Sequence, residues 1–92
     1  MTQQEIQERN KQIALMLGWK ITDGIISYIP EESSFQHEVG YSASGFLQFD
    51  SDWNWLMEGC KHLGMEFVNT DILTTFKIVS DEARKRNTEK HS

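Results

Sequence analysis

Between Lys20 and Lys61 the chain has no lysine or arginine at all. It also has a single cysteine, Cys60, and a single proline, Pro30. Each scarcity excludes something. One cysteine cannot build a disulfide framework, and it fits a reducing compartment, so a cytoplasmic location is expected. No apolar run approaches the ~20 residues of a membrane span, and the polar start Met1–Glu5 does not read as a signal peptide. A net charge of −5 lacks the basic footprint of a general nucleic-acid binder. With 38% hydrophobic and 25% charged residues the chain is globular rather than disordered. Its 92 residues allow one domain, 1–92, that hides only about 60–65% of its unfolded surface.

The cation-free stretch is strongly one-signed. Residues 21–60 carry Asp23, Glu31, Glu32, Glu38, Asp50, Asp52 and Glu58, a charge of −7. The C-terminal end reverses sign, with Arg84, Lys85, Arg86 and Lys90 against Glu89. Gathered on one face, the acidic tract would attract basic partners and repel phosphates; scattered, it would only keep a small protein in solution.

Residues 2–18 read as an amphipathic helix. Thr2 and Glu5 fit a capping box, Ile6, Asn10, Ile13, Ala14 and Leu17 form one stripe, and Gly18 is a left-handed stop. Asn10 interrupts that stripe, so its amide is expected to tie the helix to a loop. Strands are expected within 19–49. Thr22-Asp23-Gly24 turns the chain between Lys20-Ile21 and Ile25–Ile29, Pro30 ends that strand, 35–41 alternates, and Phe46–Phe49 is a further candidate. A second helix is expected over 51–64, capped by Asp50 or Ser51 and closed by Gly64 and Met65. Its core stripe is Trp53, Leu56, Met57, Cys60 and Leu63. Trp55, Gly59 and His62 form a second stripe. Trp55 there either covers another layer or anchors an interface, which could be that of a homodimer. Gly59 implies that another helix, a partner chain or a ligand comes close. Segment 70–87 has strand propensity, but Ile72, Phe76, Val79 and Ala83 keep helical spacing. Asp81/Lys85 and Glu82/Arg86 are favourable i, i+4 pairs, so a third helix is expected, with 87–92 frayed. The expected fold is therefore α+β, with about three short antiparallel strands against two or three helices.

No arrangement of residues meets the requirements of an active site, and the expectation is a non-enzyme without cofactor or metal. Cys60 and His62 diverge on their helix, and neither His37 nor His91 has a partner at ligand spacing. Ser42 and Ser44 lie in a Gly-flanked turn that is not a nucleophile elbow. Cys60 reads as an inert core thiol.

Two segments carry a resemblance. Asn10–Lys20, NKQIALMLGWK, is similar to the "NKxIAxxMGW"-like first helix of a group of small, largely uncharacterised phage and prophage proteins, and Trp53–Met57, WNWLM, resembles that group's "WDWLM" helix. Residues 72–79 resemble its closing helix more weakly. Asn54 replaces the group's usual aspartate and Glu58 a frequent proline. The resemblance implies a phage origin and an accessory role in phage–host biology. Composition and resemblance together lead to the expectation of a host protein with a basic surface as partner, in the form of host-defence antagonism. The candidate contact residues are Glu31, Glu32, Glu38, Asp50, Asp52, Trp55 and Glu58. Direct nucleic-acid or membrane binding is not expected. The alternatives are a nucleotide-signal binder formed at an oligomer interface, for which Arg9, Lys11, Lys20, Lys61, Lys77 and the C-terminal tail supply the available cations, and a self-assembling accessory protein.

Overall fold

The computed structural model describes residues 1–30, 47–65 and 71–89. They form α1 (Gln3–Met16), β1 (Lys20–Thr22), β2 (Ile25–Tyr28), α2 (Trp53–Leu63) and α3 (Ile72–Glu89). The class is α+β: three helices and one two-stranded antiparallel sheet among the described residues.

Local chemistry sets each boundary. The Thr2 hydroxyl accepts from the Glu5 N–H at 3.1 Å and starts α1. Gly18, at φ 91°, ends it, with the Trp19 N–H returning to the Ala14 carbonyl at 3.0 Å. Asp23 and Gly24, both at positive φ, make the tight hairpin turn that an Asp-Gly pair favours. The β1–β2 register slips between Lys20 and Ile21, so Lys20 pairs with Tyr28 while Ile21 pairs with Ile26. The strand read as reaching Ile29 stops at Tyr28.

Residues 47–49 are not a strand. The Gln48 carbonyl accepts from both Ser51 N–H (3.2 Å) and Asp52 N–H (2.9 Å), which curls the chain into a turn ahead of α2. The Phe49 N–H bonds to a side chain of α1 instead of a neighbouring strand. The alternating segment 35–41 lies outside the described residues. The N-cap of α2 is Asp52 rather than Asp50 or Ser51. At the other end of the chain, α3 continues to Glu89, so Asn87 is not frayed; its amide donates to the Gln12 carbonyl at 2.9 Å.

The β-branched run at the start of α3 is helical because that period hides Phe76, Val79 and Ala83 together in the core. Arg9 faces Lys77–Asp81 and Gln12 faces Asn87, so α1 and α3 advance in the same direction. α2 crosses them at Gly59. A Cβ placed there would stand 3.0 Å from Val79 Cγ1 and 3.3 Å from Ile13 Cγ2. The close neighbours that Gly59 admits are the other two helices.

The buried face of α2 is Trp55, Leu56, Gly59 and Cys60. This corrects the expected stripe: Trp53 is only half-buried and packs at the margin of the core, while Trp55 is inside. Trp55 meets Phe49 edge-on at 5.3 Å between ring centroids, and both rings contact Trp19, at 6.0 and 5.7 Å. The three rings join the hairpin end of α1, the 47–52 turn and α2.

Candidate functional site

The acidic tract begins at the hairpin. Asp23 occupies the turn itself and is exposed. Asp50 and Asp52 lie at the entry to α2, where each carboxylate takes a hydrogen bond from an uncharged donor. Asp50 Oδ1 accepts from Asn10 Nδ2 at 2.9 Å, and Asp52 Oδ1 accepts from the Asn54 N–H at 2.9 Å. Both side chains thus shape the fold locally at the entry to α2. Glu58 is half-buried on α2. Glu31, Glu32 and Glu38 lie outside the described residues.

Trp55 does not belong with these carboxylates. It is 7% exposed and is held in the aromatic cluster, so of its two expected roles it takes the packing one. The signal that could have placed it is Gly59, one turn on: the face carrying a glycine in a helix interior is the one a neighbouring helix needs.

Asn10 behaves as expected of a buried amide. Its oxygen accepts the Phe49 N–H at 2.8 Å, and its nitrogen donates to Asp50 and to the Ile6 carbonyl at 3.1 Å. The less expected group is Arg9. Its guanidinium is nearly buried and contacts Asp81 Oδ1 at 2.6 Å, Ser80 Oγ at 2.9 Å and Glu5 Oε1 at 3.3 Å. Burial works to lower its pKa, but the hydrogen bond and charge of Asp81, aided by Glu5, outweigh it and raise the pKa. Arg9 is therefore a structural cation, bound within the fold. Asp81, read as an i, i+4 partner of Lys85, pairs with Arg9, whereas Glu82 does meet Arg86, at 3.5 Å.

Burial pushes the Cys60 thiol up, away from the thiolate that nucleophilic chemistry needs. No group of three potential metal ligands occurs among the described residues. An open groove between α1 and α3 is lined by side chains of both signs, including Glu5, Glu8, Lys11 and Arg84. No helix among the described residues is long and apolar enough to cross a membrane. Compared with protein-family models, curated proteins and solved structures, the chain matches none.

Proposed function

We propose that this chain is a small binding protein of phage or mobile-element type that docks, through its acidic tract, on a basic surface of a host protein. Host-defence antagonism is the concrete form of that activity. The observation that carries the reading is the run 21–60, with seven carboxylates and no lysine or arginine. Two features support it. Asp23 stands exposed on the hairpin turn, and the hydrogen bonds to Asp50 and Asp52 come from the Asn10 amide and the Asn54 N–H rather than from a lysine or arginine. A long-range field of one sign speeds encounter with an oppositely charged surface and discriminates against nucleic acid. The docking set is Glu31, Glu32, Glu38, Asp50, Asp52 and Glu58, without Trp55.

The test is capture of a partner from host lysate at low and high salt. The triple variant Glu31→Gln, Glu32→Gln, Glu38→Gln should retain less partner and show a flatter salt dependence. Equal capture by the variant, with the same salt response, would overturn the reading.

A further inference from the structure

Glycine follows an aspartate or asparagine at one place in the chain, Asp23-Gly24. That pair makes the hairpin turn, at φ 53° and 75°. The residues from Thr22 to Ile25 are all exposed, and the hairpin is anchored further back by the fully buried Ile26. A Cβ built on Gly24 would meet nothing within 4 Å, so its backbone has open space around it. Among the described residues no hydrogen bond or ion pair holds the Asp23 carboxylate, and no hydrogen bond engages the Gly24 N–H. The remaining aspartates are held. Asp50, Asp52, Asp71 and Asp81 each accept a hydrogen bond at the carboxylate, and each is followed by a residue with a side chain.

We propose that Asp23 is a modification site, where the chain isomerises spontaneously to isoaspartate. The Gly24 nitrogen attacks the carboxyl carbon Cγ of Asp23. An N–Cγ bond forms, a C–O bond breaks, and the hydroxyl leaves with the amide proton as water. The product is a succinimide ring. Water then adds to one of the two ring carbonyls and breaks its bond to the nitrogen. Addition at Cγ restores aspartate. Addition at the main-chain carbonyl leaves the chain running through Cγ, as isoaspartate, and nothing is oxidised or reduced. Glycine suits the first step, because it lacks the side chain that would crowd the attacking nitrogen. Ring closure requires Asp23 to leave its left-handed conformation, and only the exposed tip has to open for that. A two-stranded hairpin is marginal by itself, and the buried anchor of this one lies beyond the turn. Isoaspartate keeps the negative charge but lengthens the backbone of a turn whose two-residue length fixes the strand register. The pairing of Thr22 with Ile25 is what the longer turn disturbs. This inference is independent of the host partner proposed above.

Incubating the purified chain in water labelled with heavy oxygen tests it. Each passage through the ring places one heavy oxygen on residue 23, and peptide mass spectrometry with electron-transfer fragmentation locates the label and the isoaspartate. Both should accumulate at Asp23 and not at Asp50, Asp52, Asp71 or Asp81. The rate in the folded chain should lie within about tenfold of that in urea, since the tip opens without global unfolding. Chromatographically separated isoaspartate protein should show faster amide hydrogen exchange in β1 and β2, with α1 and α3 unchanged. A folded chain that takes up no heavy oxygen at Asp23 overturns the proposal. So does uptake more than about tenfold slower than in urea, which would show that the fold protects the turn. Equal labelling of the other aspartates also overturns it.

Discussion

Arg9 and Asp81 are 72 positions apart in the chain and 2.6 Å apart in space. The guanidinium sits between α1 and α3, where Ser80 Oγ and Glu5 complete its coordination. The cation is bonded to carboxylates of both helices, so it ties α1 to α3 midway along each.

Removing this cation should matter more than removing its partner. Arg9→Ala should cost about 2–3 kcal/mol by urea denaturation, through lost packing and lost hydrogen bonds to Asp81, Ser80 and Glu5. Asp81→Ala should cost nearer ~1 kcal/mol, because the carboxylate is about half exposed and water screens it. Arg9→Met, which refills the space without a charge, should fall between wild type and Arg9→Ala.

Gly59→Ala sets helix propensity against space. Alanine is favoured over glycine by about 1 kcal/mol in a helix interior. The added methyl must push aside Val79 and Ile13, and overpacking costs about 1–3 kcal/mol. The expected result is a net loss of thermal stability. Combining Gly59→Ala with Val79→Ala should cost less than the sum of the two changes, which a double-mutant cycle measures.

Asn10→Ala should destabilise by about 2–3 kcal/mol, because it strands the buried Phe49 N–H and removes a donor from Asp50. Asn10→Asp should be at least as costly, since it replaces the donated bond with two facing carboxylates. Chemical denaturation of both variants against wild type checks the order.

Asp71 carries a pH dependence. Hydrogen bonds from the Thr74 side chain and backbone hold its carboxyl below the ordinary carboxylate range. A lowered folded-state pKa gives stability that is fully present above the unfolded-state value and is lost as pH falls through the folded-state value. Asp71→Asn keeps a cap without the titration, so it should be less stable than wild type near neutrality and lose less on acidification. Thermal melts across the acid range show this as converging or crossing curves.

Cys60 should react with a thiol reagent only when the fold opens. It is 7% exposed and its thiol is pushed up by burial, so labelling should follow the unfolding equilibrium and accelerate with urea. Fast, complete labelling of the native protein would contradict this placement of α2.

Much of the architecture is local and was legible for that reason. The Thr2 cap, the Gly18 stop, the Asp23-Gly24 turn and the Gly64 close each depend on interactions within a few residues, and spacing exposes them. The tie from Asn10 was also readable, because a polar side chain in an apolar stripe has to find partners. Less of the candidate site could be read. Charge alone marked Asp50 and Asp52, but whether a carboxylate caps a helix, receives an amide or faces solvent depends on what lies beside it.

The order of residues by itself determined three helices, one hairpin and a long tract without a cation, since hydrogen bonding along a helix and sterics in a turn act over a few positions. Only the tertiary structure decided that α2 turns Trp55 inward, that residues 47–49 curl, and that Arg9 closes on Asp81. Those outcomes depend on which surfaces fit at close range: a glycine lets three helices meet, and a buried cation needs carboxylates that the chain supplies from far away.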